Sequence, residues 1–230
     1  MKTPNAMKVL LLGLFVVSFA SAALALDKAE LDRRIHKLCL RFAQMQQKPD
    51  KRIRAQTLQA AKAIILLDRT KAGFIFAYQG GSGLAMVKDK KSGQWGPAAF
   101  LKADEASLGF QVGGQQSFIV ILLMDPNGTR LLSDPTFEFG GEARGTAGGS
   151  SAGVEGTIAS AEKSVLVYDD RKGFYGGAAI KGGAVSPDEE ANLAYYEQPL
   201  TMRQILFGNK VRPTEATAEL GKRILEQSSK

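Results

Sequence analysis

One cysteine, Cys39, and one histidine, His36, stand in 230 residues. A lone thiol cannot close an internal disulfide. One imidazole and one thiol are too few for a zinc site. Acidic residues are scattered, without calcium-loop spacing. No G-x-x-x-x-G-K-[ST] or G-x-G-x-x-G lies between a strand and a helix, so the phosphate cradles of nucleotide enzymes are missing. No apolar run after residue 25 is long enough to cross a bilayer. No cofactor and no metal is expected.

Catalytic pairings are missing as well. Gly149-Ser150-Ser151-Ala152-Gly153 has the letters of a nucleophile elbow, but "GEARGTAG" before it is no apolar strand. His36 lies upstream of Ser151, whereas that fold places its histidine after the serine. Ser160 and Lys163 make an S-x-x-K, and Lys91-Ser92-Gly93 resembles K-T-G, in the reverse order to penicillin-binding enzymes. No nucleophile meets a base, and the chain is not expected to be an enzyme.

What is present begins with a leader. Lys2 and Lys8 precede the apolar stretch "VLLLGLFVVSFASAALA", which ends in the A-x-A pattern Ala23–Ala25. That layout predicts a signal peptide, residues 1–25, cut after Ala25; the alternative is an uncleaved membrane anchor, for which a 17-residue apolar run is at the lower limit of a span. The signal peptide predicts an exported protein, periplasmic or secreted.

Positive charge is concentrated at the start of the remainder. Removing Lys2 and Lys8 lowers the formal net charge from +7 to +5. Residues 27–62 hold ten basic and four acidic side chains, an excess of six. The rest is therefore nearly neutral. Leu31, Ile35, Leu38, Phe42 and Met45 recur at helical spacing, with Arg34, Lys37, Arg41 and Lys48 along one flank. A basic amphipathic helix of this kind suits an anionic bilayer, where each Lys or Arg contributes about 1 kcal/mol. It equally suits packing on a sheet with its charges in water. Export and the lack of a binding motif argue against nucleic acid.

After Pro49-Asp50 a second helix is expected near Lys51, with Ile53, Thr57, Ala60 and Ile64 on one face. Strands follow: "GFIFAY" and "GLAMV" around Gln79–Gly83, a turn in "KDKKSGQWG", then "SLGFQVGG" and "SFIVILLM". Ser117–Met124, apolar on both faces, reads as a central strand ending in a turn at Asp125–Gly128. "SVLVYDDRKGFYGGAAI" reads as a hairpin turning at Asp169–Lys172, and residues 140–156 as a flexible glycine-rich loop. Ser186 as N-cap and Pro187 at the first helical position open "SPDEEANLAYYE", and two more helices follow. The fold class is α+β: a mainly antiparallel, strongly bent sheet, barrel- or sandwich-like, with helices at both ends. One domain spans 26–212, helical and basic over 26–66, β-rich over 67–183, with short helices over 184–212. A helical tail covers 213–230.

The ordered pieces "AKAIILLDRTKAGFIFAYQGGSGLAMV", "WGPAAF", "LGFQVGG", "KGFYGGAAIKGG", "NLAYYE" and "ILFG" resemble the SYLF-domain family of lipid-binding proteins, from about Leu31 to Gly208. That family includes yeast and animal actin-patch proteins whose domain is also called actin-binding. The resemblance implies a non-catalytic module that binds anionic phospholipid, with phosphoinositide-type headgroups in eukaryotes. The implied lipid-binding residues are Arg33, Arg34, Lys37 and Arg41, with Lys51, Arg52 and Arg54. The implied membrane-facing apolar residues are Leu31, Ile35, Leu38 and Phe42. Two departures stand out: Asp68 where a proline is usual, and Ala147–Ser150 where relatives carry a Gly-Pro-Gly turn. The alternative is an adaptor of the cell envelope that binds a protein partner without lipid. Actin is not expected as the partner of an exported protein. The glycines of "GFYGGAAIKGG" (residues 173–183) are read as structural, letting strands bend and neighbours approach.

Overall fold

The structure, a computed structural model, describes residues 26–72, 78–104, 116–133, 137–139, 164–170, 173–175 and 183–229. The expected leader (1–25), the expected glycine-rich loop (140–156) and the serine motifs at Ser151 and Ser160 lie outside them, as do Gly176, Gly177 and Gly182.

The amphipathic stretch forms helix α1 (Lys28–Gln46), capped by Asp27, whose carboxylate accepts from the Glu30 N–H at 2.6 Å. Helix α2 (Ala55–Ala60) follows. It is shorter than the expected second helix: Ile64 belongs to the first strand, and Ala60 is exposed. The run Ala63-Ile64-Ile65 is better served by a sheet, which pairs it on both sides.

The strands are β1 (Ala63–Ala72), β2 (Tyr78–Lys88), β3 (Trp95–Asp104), β4 (Gln116–Leu123), β5 (Phe137–Phe139), β6 (Val165–Asp169), β7 (Gly173–Tyr175) and β8 (Gly183–Pro187). They form one antiparallel sheet in the order β5-β8-β3-β2-β1-β4-β6-β7. The expected α+β class with an antiparallel sheet is the observed one. The sheet is open: among the described residues its edge strands β5 and β7 do not pair with each other. The expected hairpin is seen as the antiparallel pairing of β6 with β7, Asp169 opposite Gly173. The end of β4 runs into a short helix, α3 (Pro126–Arg130), rather than a simple turn. Asp125 caps it by accepting from the Gly128 N–H at 2.8 Å.

Three further helices close the chain: α4 (Glu189–Tyr196), α5 (Met202–Phe207) and α6 (Glu215–Ser228). Ser186 and Pro187 are the last residues of β8, paired with Lys102 and Leu101, so the cap of α4 is Asp188. Gly83 permits close approach of β2 to β1, because a Cβ there would run into the Leu66 carbonyl and lie 2.6 Å from Leu67 Cδ2.

Burial on both faces gives the sheet two apolar layers. Ile64, Leu66, Leu84, Met86, Phe118 and Val120 face α1, α2, α4 and α6. Ile65, Leu67, Leu101, Ile119 and Ile121 face Leu132 and α5. Alternation along one strand thus serves two cores, as an apolar run without polar positions requires. Leu220 and Ile224 bring α6 into the first layer, and its Gly221 lies against Trp95. The C-terminal helix α6 thus packs into the core through Ala216, Leu220 and Ile224. Among the described residues no helix is long and apolar enough to cross a membrane.

Candidate functional site

Helix α1 spends its apolar stripe on the sheet. Leu31, Ile35, Leu38 and Phe42 are buried in the first layer with Met45. The four residues implied to face a membrane thus face the protein's own core in this structure. Amphipathic spacing says that a face is covered, not by what, and here the cover is α6 and α4 together with β1, β2 and β4. The side chain left outside is Leu40, 63% exposed. It shares the outward face of α1 with Lys37 and Arg33, three and seven residues earlier.

The basic flank overhangs the glycine-rich middle of β2. Arg33, Arg34 and Lys37 border a cavity of about 630 Å³ whose floor is Gly81, Ser82 and Gly83. Lys102, opposite Ser82 on β3, adds a fourth cation. Three carboxylates share the space: Glu30, Asp68 and Asp188. Four cations against three anions leave one net positive charge.

These charges are held differently. Arg33 donates to Glu30 at 2.8 Å, and Arg34 Nε lies 3.6 Å from the same carboxylate. The Arg33 hydrogen bond holds Glu30 below the usual carboxylate range. All three are on the surface, where such pairs are weak and exchange readily for another anion. Lys37 is bound more closely: its Nζ lies 2.6 Å from Asp68 Oδ2, with Asp68 7% exposed.

Arg41, expected at the headgroup site, turns inward. Its guanidinium lies 3.8 Å from Asp68, 3.4 Å from Asp170 and 5.8 Å from the centre of the Phe118 ring. Asp170 also accepts from the Phe118 N–H at 3.0 Å, tying α1 to the β6–β7 turn. Arg41 is thus a structural tether.

Lys51, Arg52 and Arg54 are at the other end of α1. Twelve residues of helix separate Arg34 from Gln46, about 18 Å. Lys51 pairs with Asp50 at 3.0 Å, which lowers the Asp50 carboxyl below its usual range. Of the seven basic residues expected together, the structure brings together Arg33, Arg34 and Lys37.

Missed residues were Leu40, Lys102, Ser82 and Asp68. Only Asp68 carried a signal, an acid closing the apolar run "AIILL", which calls for a cationic partner. Among the described residues no three His, Cys, Asp or Glu side chains gather as a metal site. Cys39 is buried on α1, and burial pushes its thiol up. Tyr195 of α4 donates to Asp32 at 2.7 Å and shares a 2.5 Å hydrogen bond with Thr214, linking α1, α4 and the start of α6. The geometry is that of an ion-paired, cationic surface beside one exposed leucine. It can hold an anion.

Residues 104–226, a little over half of the chain, match the Ysc84 family, described as "Las17-binding protein actin regulator". The SH3 domain-containing YSC84-like protein 1 of Homo sapiens is 28% identical over 170 residues, covering 73% of this chain and 49% of that protein. Its Xenopus laevis counterpart is 28% identical over 171 residues, 73% of this chain and 51% of that protein. LAS seventeen-binding protein 3 of Saccharomyces cerevisiae is 29% identical over 181 residues, 77% of this chain and 39% of that protein. The chain spans about half the length, or less, of these curated relatives. With the family match extending over more than half of its residues, this chain belongs to the Ysc84, or SYLF-domain, family.

Proposed function

We propose that the chain is a non-catalytic, exported module that rests peripherally on an anionic phospholipid surface through the outward face of α1. The observation that carries this reading is the cationic flank Arg33, Arg34 and Lys37 beside the exposed Leu40. Each cation near an anionic surface contributes about 1 kcal/mol, and a leucine side chain buried among acyl chains adds up to about 1.5–3 kcal/mol. Exchanging Glu30 for a lipid phosphate costs Arg33 and Arg34 little, since their present pairs are exposed. Export rests on the leader alone.

The test is co-sedimentation of the purified protein with phosphatidylcholine vesicles and with vesicles containing phosphatidylglycerol, at low and at moderate salt. Binding is expected only to the anionic vesicles and is expected to fall with salt. It should be lost in the combined variant Arg33→Glu, Arg34→Glu, Leu40→Ser, with the near-UV circular dichroism unchanged. A variant that sediments like the parent would remove α1 from the contact.

A lipid-independent protein partner is the second reading. It is favoured by the family description, which names protein binding, and by the exposed apolar side chains Leu193 and Phe207. Failure to bind either vesicle type would favour it.

A further inference from the structure

A second cavity, of about 660 Å³, lies between the last turn of α1, the segment leading into α2, and α6. Its charged lining is Arg52, Arg54 and Arg223, with no carboxylate among them. Elsewhere Arg33, Lys37, Arg41 and Lys51 each stand beside a carboxylate. Here, among the described residues, the trio meets one carboxylate, that of Glu226, 3.5 Å from Arg223 on the exposed side of α6. Neither Arg52 nor Arg54 is paired with a carboxylate among the described residues.

The arrangement is fixed from behind. Gln46 grips the backbone of Ile53 with both ends of its amide: the Ile53 N–H donates to Oε1 at 2.8 Å, and Nε2 donates to the Ile53 carbonyl at 3.1 Å. Ile53 itself is buried. The chain is extended at Arg54, with φ −62° and ψ 139°. Arg52 and Arg54, on either side of the buried Ile53, both line the cavity. The clamp thus fixes the segment that carries two of the arginines, and α6 supplies the third. Guanidinium forks match phosphate oxygens bidentately. The volume is that of an ordinary small-molecule site.

We propose that Arg52, Arg54 and Arg223 form a phosphate-binding site at this end of α1, separate from the cationic flank of the outward face. The group bound is a phosphate or diphosphate, carried by a free phosphorylated molecule or by a lipid headgroup. The site does not depend on the membrane reading above, because it shares no residue with Arg33, Arg34, Lys37 or Leu40.

The experiment is calorimetric titration of the purified protein with inorganic pyrophosphate, alongside sedimentation with vesicles containing phosphatidic acid. Pyrophosphate is expected to bind. Arg52→Ala with Arg54→Ala, and separately Arg223→Ala, should each weaken it about tenfold, the scale of a lost charge-assisted hydrogen bond. Arg52→Lys with Arg54→Lys, which keeps the charge and removes the forks, should weaken it as well. Arg33→Ala with Arg34→Ala should leave it within about twofold. A lipid source is indicated if pyrophosphate is silent while the Arg52, Arg54 and Arg223 variants lose binding to phosphatidic acid vesicles and keep binding to phosphatidylglycerol vesicles, which report the Arg33, Arg34 face. The proposal is overturned if pyrophosphate does not bind and phosphatidic acid binding is unmoved in the Arg52, Arg54 and Arg223 variants, or if pyrophosphate binding falls equally in both sets of variants, as diffuse attraction would require. Circular dichroism of each variant separates lost binding from lost fold.

Discussion

Asp68→Asn should make the protein a less stable fold and a better binder of anionic vesicles. Asp68 is the carboxylate that holds Lys37, at 2.6 Å, and it contributes one of three negative charges around the 630 Å³ cavity. Replacing it with the neutral isostere raises the local charge from +1 to +2 and releases the Lys37 ammonium. One cation freed for an anionic surface is worth about 1 kcal/mol, close to fivefold in partitioning. The stability cost stays modest for two reasons. Lys37 is 60% exposed, so its freed charge remains in water, and Arg41 keeps Asp170 at 3.4 Å. About 1–2 kcal/mol is expected, below the 3–5 kcal/mol typical when a fully buried charge loses its partner.

Sedimentation across a series of phosphatidylglycerol fractions reads the first quantity, and the urea midpoint reads the second. Asp188→Asn is the control. It removes one charge from the same cavity and still caps α4, because asparagine caps as well as aspartate. It frees no lysine and should give a smaller gain than Asp68→Asn. If Asp68→Asn binds no better than the parent while remaining folded, Lys37 is not held back by Asp68 and the reasoning fails. If both variants gain equally, net charge alone decides the contact.

Asn192→Ala should cost about 2–4 kcal/mol in urea unfolding. The buried amide accepts from the Phe100 N–H at 2.8 Å and donates to the Phe100 carbonyl at 3.1 Å, standing in for a strand where β8 has ended. Equal midpoints for variant and parent would show those bonds to be dispensable. Tyr168, Tyr195 and Tyr196 are pushed above the ordinary phenol value of 10.0 by burial. The fold therefore holds their protons more tightly than the unfolded chain does. Their contribution is fully present below pH 10 and is lost as pH rises beyond it. Absorbance titration should show part of the five-tyrosine signal ionising late in the native protein and all of it near pH 10 in urea; superposed curves would refute the burial account.

Local patterns were legible where local physics decides. The 4-3-4-3 spacing of Leu31 through Met45 gave α1, the two-sided apolar run gave β4, and the polar residues 169–172 gave the β6–β7 turn. Where tertiary pairing outweighs a local preference, the reading shifted. Ser186-Pro187 looks like a helix start, but pairing with Lys102 and Leu101 keeps both residues in β8 and passes the cap to Asp188. Ile64 fits the face of a second helix, but two neighbouring strands take it. The site was partly legible: its cations could be counted, their assignment could not. Arg41 and Asp170 are 129 residues apart, and nothing in either neighbourhood announces the other. Leu40 lies off the apolar stripe, so periodicity passed over the one α1 leucine that meets solvent.

That division of α1 bears on how any membrane contact would have to work. Drawing its apolar stripe off the sheet would uncover Leu31, Ile35, Leu38 and Phe42 together with the facing Ile64, Leu66 and Phe118. At about 1.5–3 kcal/mol for each buried side chain, the four helix residues alone represent about 6–12 kcal/mol. A domain of this kind has about 5–15 kcal/mol of stability in total. Acyl chains could take up the helix side of that exposure but not the sheet side, which would be left to water. The Arg41 tether to Asp68 and Asp170 would break at the same time. A contact made with Arg33, Arg34, Lys37 and Leu40 disturbs none of this, because those side chains already face outward or are held only by the Glu30 and Asp68 pairs. Helix insertion would require unfolding the first apolar layer, whereas a peripheral contact requires only the exchange of ion pairs.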